Sequence, residues 1–166
     1  MSLTVEPSGA SCGAAITGVQ LNQPLSGDLV AEIRAHWLEH KVVAFPDQQL
    51  TPAQLVAFSE HFGDIGQDPF FGHIDEHPQV AAIQRNADET TSIFAEIFHS
   101  DWSFMPVPPA ATALYGITIP PVGGDTLFAD TRAIAARVLC EEAEGGPRSR
   151  HRFRFRFRLR FRFRGG

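Results

Sequence analysis

The chain has 166 residues, 43% of them hydrophobic and 20% charged, with a net charge of −5. That balance suits one domain able to bury a real core. No run of about 18 apolar residues marks a membrane span, no basic stretch leads into an apolar one as in a signal peptide, and Cys12 and Cys140 alone make neither a disulfide framework nor a zinc site, so a reducing, cytoplasmic setting is the expectation.

Residues 1–25 are Gly-rich with short apolar stretches and predict weak strands and loops. Ser26 reads as an N-cap with Asp28 in the first turn, and Leu29, Val30, Ile33 and Trp37 follow at helical spacing, which predicts a helix over 27–40. Val42 to Phe45 is a short apolar strand closed by Pro46-Asp47. Thr51-Pro52-Ala53-Gln54 is a capping box with proline at the first helical position. It opens a helix whose apolar face is Leu55, Ala57, Phe58 and Phe62 and whose stop is Gly63. Residues 64–78 read as a loop, Val80 to Ile83 as a strand, and Ile93 to Phe98 as a strand running into His99. Ala111 to Ile119 reads as a longer strand, Pro120 to Gly124 as a turn and Thr126 to Phe128 as another strand. Thr131 is the expected cap of a last helix through Leu139. Helices first and short strands after suit an α+β protein with a sandwich or barrel sheet.

Charge is divided unevenly along the chain. Nine of the 14 basic residues are arginines from Arg148 onward, and all 19 acidic residues lie at or before Glu144. From Arg152 to Arg164 arginine alternates strictly with an apolar residue, and this stretch holds 5 of the 14 phenylalanines. As a strand it would be cationic on one face and apolar on the other. It is also low in complexity, with no acidic partner and no turn residue.

The sharpest chemical feature is His99-Ser100-Asp101. On an extended segment positions i and i+2 point to one side. An imidazole and a carboxylate would converge there, as two of the three ligands of a 2-His-1-carboxylate site that leaves positions open on Fe(II). The plainer reading of an isolated H-x-D triplet is a surface His and Asp bonded to each other.

Six segments in order set that triplet in context: Gly13 to Val19, Lys41 to Gln48, Phe58 to Gly63, His99-Ser100-Asp101-Trp102-Ser103-Phe104, Pro108 to Leu114, and Gly123-Gly124-Asp125-Thr126-Leu127-Phe128. Through them the chain, from about Val5 to Val138, resembles the taurine dioxygenase/2,4-D dioxygenase family of Fe(II)/2-oxoglutarate-dependent dioxygenases. The resemblance implies a truncated double-stranded β-helix (the jelly roll of the clavaminate synthase-like fold) with flanking helices. It implies His99 and Asp101 as iron ligands and Thr126 as a donor to the distal carboxylate of 2-oxoglutarate, with Fe(II) as cofactor and 2-oxoglutarate and O2 as cosubstrates. The implied reaction hydroxylates a small organic molecule, such as taurine or another sulfonate, and yields succinate. A homo-oligomer is implied as well, with neither membrane nor nucleic acid as a partner. Without the resemblance, Thr126 is simply a good strand former.

The pattern breaks after Val138. The family takes a second iron-binding histidine and a 2-oxoglutarate-binding arginine from strands nearer the C-terminus of a longer chain. Here the only later histidine, His151, opens the arginine-phenylalanine tail. Two regions are therefore expected: residues 1–140, the N-terminal part of a dioxygenase domain, and residues 141–166, an aberrant or disordered low-complexity tail. The change in composition between Leu139 and Arg148 reads as a frameshifted or mis-terminated product, which a single uninterrupted reading frame on resequencing would refute. The rival reading is a cationic arm for nucleic acid or membrane. A further alternative is a catalytically inactive fragment. Exposed strand edges predict low solubility.

Other polar and aromatic residues take plainer readings. His73 and His77 sit in the predicted loop. Phe70 and Phe71 line the substrate pocket or pack in the core, and Trp102 and Phe104 wall the site or pack. His36, His40 and His61 are ordinary helix-side residues, and Asp125 and Asp130 are turn or cap residues.

Overall fold

The computed structural model describes residues 2–66, 72–86, 88–90, 97–122 and 125–143. The tail with His151, the predicted strand residues 93–96, and Phe70 and Phe71 lie outside them. The described residues form two compact units. One gathers residues 1–19, 32–47 and those from Ile119 on, and the other gathers Gln20–Ala31 and Gln48–Thr118.

The first unit is built on a three-stranded sheet, β1 (Thr4–Pro7), β2 (Ala14–Thr17) and β3 (Val43–Ala44), in the order β1-β2-β3. β1 runs antiparallel to β2, with Thr4 opposite Thr17 and Pro7 opposite Ala14. β3 runs parallel to β2, and the crossover between them carries helix α1 (Gly27–His40). The central strand has the core: Ala14 and Ile16 are fully buried, Thr17 is exposed, and Ile33 of α1 is the other large side chain removed from water. Cys12, Val19 and Ala44 complete the buried apolar set of this unit.

α1 starts as its sequence predicts, with the Ser26 hydroxyl accepting from Leu29 N–H at 3.3 Å. It ends without glycine: Lys41 takes the left-handed conformation (φ 67°) and its N–H donates to the Trp37 carbonyl at 2.6 Å. The turn feeds directly into sheet contacts, because Gly13 N–H donates to His40 O and Ala14 N–H to Val42 O. After β2 the chain reverses at Gly18 (φ 85°), where an added Cβ would meet the Ser2 carbonyl oxygen at 2.7 Å. Gly18→Ala is therefore expected to destabilise the first unit by roughly 2 kcal/mol or more, from left-handed strain plus a backbone clash. A urea titration followed by circular dichroism reads this, and an unchanged midpoint would refute it.

α3 (Thr131–Ala143) also belongs to the first unit. Its cap is Asp130, not Thr131. The Asp130 carboxylate accepts from Arg132 N–H at 3.0 Å and Ala133 N–H at 3.2 Å, and its other oxygen lies 3.4 Å from Lys41 Nζ. A carboxylate caps better than a threonine because its charge also complements the helix dipole. Burial alone would push this carboxyl up, but the Ala133 N–H, the Lys41 ammonium and the Arg132 N–H outweigh it and hold it below its ordinary 3.8. A folded-state pKa below the unfolded one gives stability that is present above the unfolded value and is lost as pH falls through the folded one. Asp130→Asn keeps a capping oxygen and loses the charge that meets Lys41 and the helix dipole, and is expected to cost about 0.5–1 kcal/mol at neutral pH. It should also flatten the loss of stability that the parent shows below pH 3.8. Parallel melts at neutral and acid pH test both effects.

In the second unit, α2 (Pro52–Glu60) opens with the predicted capping box: Thr51 Oγ1 accepts from Gln54 N–H and the Gln54 side chain accepts from Thr51 N–H. Leu55, Val56 and Phe58 are half-buried and Ala57 is exposed, so the covered face is rotated from the predicted one. Phe58 meets Phe62 edge-on at 5.2 Å. The predicted loop over 64–78 contains a hairpin instead, β4 (His73–Ile74) against β5 (His77–Ala81), with a register shift between His73 and Ile74. Its strands are too polar to alternate cleanly. They pair because Ala82 N–H reaches Gly72 O at 3.1 Å and β5 packs against α2. Buried Gln48 accepts from Leu21 N–H at 2.9 Å, and the Tyr115 hydroxyl links Leu50 N–H (3.1 Å) to Gln48 O (3.4 Å).

Two predicted strands, Ala111 to Ile119 and Thr126 to Phe128, are not strands among the described residues, and no closed jelly roll is formed by them. Strand backbone needs a facing ladder, and these segments find none there. Their apolar side chains stay in water: Leu114, Ile117, Ile119 and Leu127 are exposed, as are Ile97, Phe98, Phe104 and Val107 upstream. Large apolar side chains exposed in such number are a self-association liability. Among the described residues no helix is long and apolar enough to cross a membrane.

Candidate functional site

His99 and Asp101 meet in the second unit. His99 Nε2 lies 2.9 Å from Asp101 Oδ1, and both side chains are close to half exposed. The backbone that brings them together is not the strand expected from the sequence. Residues 98–100 carry no ladder, and Asp101 opens a turn through Phe104 in which Met105 N–H donates to Trp102 O at 2.9 Å. Trp102 holds a left-handed φ of 57°. That conformation is costly for a bulky residue and is often found where a functional side chain must be aimed. Trp102 and Phe104 contact each other at 5.8 Å beside the pair.

Each polar atom of the pair is oriented by a neighbour. His99 Nδ1 lies 3.0 Å from the Ile97 carbonyl, which can only accept, so Nδ1 carries the proton and donates. Nε2 is then the atom facing the carboxylate. Asp101 Oδ2 accepts from the Thr112 hydroxyl at 2.8 Å, leaving Oδ1 toward the imidazole. The Ile97 carbonyl first, and then the Asp101 carboxylate, raise the His99 pKa above its ordinary 6.5. With Nδ1–H committed, an unprotonated Nε2 and Oδ1 at 2.9 Å are two acceptors in contact, and only a proton or a metal cation between them makes the approach favourable. Neighbouring ligands around a six-coordinate ion with bonds of about 2.1 Å stand roughly 3.0 Å apart. The observed spacing fits that, and an Nδ1–H···O=C bond is the usual way a ligating imidazole is fixed. A protonated imidazole donating to the carboxylate gives the same 2.9 Å, so the spacing is compatible with Fe(II) and equally with an ion pair. Among the described residues no third His, Cys, Asp or Glu joins it.

Thr126 lies in the first unit, exposed on a segment without regular secondary structure, so it is not part of the pair's own unit. Thr112 and the Ile97 carbonyl are contributions that sequence reasoning missed. Thr112 stands among small apolar residues, and nothing local marks it as a partner of a residue 11 positions away. His73 and His77 lie on the β4–β5 hairpin and join no ligand cluster among the described residues. A cavity of about 300 Å³ in the first unit is lined by Cys12, Lys41, Phe128, Asp130 and Arg132, and within it Lys41 is paired with Asp130. Burial and then the Asp130 carboxylate push the Cys12 thiol up, so it stays protonated and is no nucleophile.

The chain is 31% identical over 140 residues to an (S)-phenoxypropionate/alpha-ketoglutarate-dioxygenase of Delftia acidovorans, covering 80% of this chain and 48% of that one. It is 30% identical over 163 residues to an alpha-ketoglutarate-dependent 2,4-dichlorophenoxyacetate dioxygenase of Cupriavidus pinatubonensis, covering 87% and 57%. A solved taurine dioxygenase from Burkholderia xenovorans is 44% identical over 51% of this chain and 32% of its own, with a TM-score of 0.45. The chain thus spans about half the length of the curated relatives it matches. The profile of the taurine catabolism dioxygenase TauD, TfdA family matches residues 4–162, a span that runs on past residue 140 into the arginine-phenylalanine tail, and the chain belongs to that family.

Proposed function

We propose that this chain serves an Fe(II)- and 2-oxoglutarate-dependent oxygenation of a small organic anion, with His99 Nε2 and Asp101 Oδ1 as two of the iron ligands. The observation that carries the reading is the 2.9 Å approach of those two atoms while His99 Nδ1 is held by a carbonyl. When bound, ferrous iron with 2-oxoglutarate and O2 supplies oxidation of a C–H bond coupled to decarboxylation of the oxo acid to succinate. The chain's part is placement. The Ile97 carbonyl fixes the imidazole tautomer, the Thr112 hydroxyl holds one carboxylate oxygen back, and the exposed face of the pair stays open to cosubstrate. Thr126 is assigned as a donor to the distal carboxylate of 2-oxoglutarate, and the jelly roll as the fold of the whole domain. The substrate class follows from the relatives, whose names specify a phenoxypropionate, a phenoxyacetate and a sulfate ester. All carry a compact anionic group, and so does taurine or another sulfonate.

The test is succinate formation by the chain with Fe(II), ascorbate, 2-oxoglutarate and a panel of sulfonates, sulfate esters and phenoxy acids. Turnover that needs both iron and oxo acid supports the proposal. A second reading is favoured by the lack of a third ligand beside the pair among the described residues. On that reading the chain binds metal without turning over, and Fe(II) binding with no succinate would select it. Loss of neither binding nor turnover in His99→Ala would defeat both readings.

A further inference from the structure

A second set of metal-ligating side chains lies in the other unit, far from any role in the chemistry above. His36, Glu39 and His40 occupy the last turns of α1. Residues four apart on a helix share a face, with the residue at i+3 beside them. Here the imidazoles of His36 and His40 stack at 6.2 Å, and Glu39 Oε2 lies 3.9 Å from both His36 Nδ1 and His40 Nε2. One ligand atom from each residue falls within 4.8 Å of the other two.

The second observation is that His36 Nδ1 is sealed from water and has no hydrogen-bond partner. An orphaned buried nitrogen is costly, and at 3.9 Å the carboxylate is too far to satisfy it by a hydrogen bond. A metal ion could satisfy it, since ligands around a tetrahedral ion with bonds of about 2.0–2.1 Å stand roughly 3.4 Å apart. The two 3.9 Å separations need only a small contraction. Glu39, with its side chain 69% exposed, is free to swing inward, and the two imidazole ligand atoms, within 4.8 Å of each other, close on the ion by side-chain rotation. A divalent cation here would also sit at the negative end of the α1 dipole. The Lys41 ammonium, 3.3 Å from the Glu39 carbonyl, opposes this, but it is already drawn to Asp130.

We propose that His36, Glu39 and His40 form a zinc site that clamps the C-terminal turns of α1, separate from His99 and Asp101. Two imidazoles and one carboxylate suit Zn(II), and the fourth position is left to water. The clamp closes where α1 hands the chain to the sheet through the Gly13 N–H bond to His40 O.

The test is competition of the untagged full chain with a chromophoric chelator for Zn²⁺, with thermal melts followed by helical circular dichroism. The parent and His99→Ala are expected to hold the same tight Zn²⁺ equivalent and to gain thermal stability from it. His36→Asn and His40→Asn are expected to weaken that equivalent at least tenfold, and Glu39→Gln severalfold. Glu39 is exposed, so the Gln variant keeps its fold and its affinity remains readable even if a histidine variant does not fold. Zn²⁺ affinity unchanged in Glu39→Gln and in either histidine variant overturns the proposal. So does a tight equivalent that vanishes in His99→Ala.

Discussion

Asp101→Asn is expected to weaken Fe(II) binding at His99 by at least about a hundredfold, equivalent to roughly 2.7 kcal/mol. Asparagine keeps the shape of the side chain, and its amide oxygen can still accept from Thr112, so the 2.8 Å bond that orients the residue need not be lost. What disappears is the negative charge on the atom 2.9 Å from Nε2. A hard ferrous ion bound by one imidazole alone has little hold. His99→Ala should be at least as damaging, because it removes the nitrogen that the Ile97 carbonyl has fixed in place. Thr112→Val should be milder, about tenfold, since it releases only the outer oxygen of the carboxylate. Anaerobic titration with Mn(II) as a redox-stable stand-in, read by loss of the free-ion paramagnetic resonance signal, orders the three variants. Equal affinities across parent, Asp101→Asn and His99→Ala would remove the site.

The contrast between this pair and its surroundings shows what local sequence can specify. Ser26, Thr51 and Gln54 act within three residues of their partners, so both helix starts were legible. The side-chain pairing of His99 with Asp101 was legible for the same reason. Its backbone was not: a left-handed Trp102 turns the chain straight after Asp101, and no residue there advertises a turn as glycine would. The end of α1 at His40 was legible from the helical spacing, although the left-handed Lys41 that closes it was not. Thr131 and Asp130 were both read as cap residues, and Asp130 is the one that caps; its bond to Lys41, from a distant part of the sequence, was not legible. Of the hairpin at 73–81, Val80 and Ala81 were read as strand, while β4 and the start of β5 escaped because their pairing depends on α2 rather than on an alternating pattern. The apolar run from Ala111 to Ile119 carries the right propensity for a strand. Propensity does not supply the neighbour whose hydrogen bonds make a strand, and this run has none among the described residues.

Ile16→Ala is expected to unfold the first unit or bring it to the edge of unfolding. Ile16 and Ile33 are the two largest side chains fully withdrawn from water, and the rest of that unit's buried apolar set is Cys12, Ala14, Val19 and Ala44. Ile16 lies on the central strand opposite Val5, so the void left by alanine is bounded by paired backbone that cannot collapse freely. Such a truncation costs about 2–5 kcal/mol, against a total stability of roughly 5–15 kcal/mol for a whole domain. Among the described residues of that unit so few large side chains are buried that the loss of one is a large share of the total. Ile117→Ala removes the same atoms from a side chain 87% exposed and should change stability by less than about 0.5 kcal/mol. Its effect belongs to solubility: with less apolar surface in water around Leu114 and Ile119, the variant should self-associate less at a given concentration. Urea unfolding and sedimentation of the two variants separate these outcomes. A large stability loss in Ile117→Ala would mean that the exposed stretch packs against something, and an unshifted midpoint in Ile16→Ala would mean that the β1-β2-β3 sheet is not where the first unit holds together.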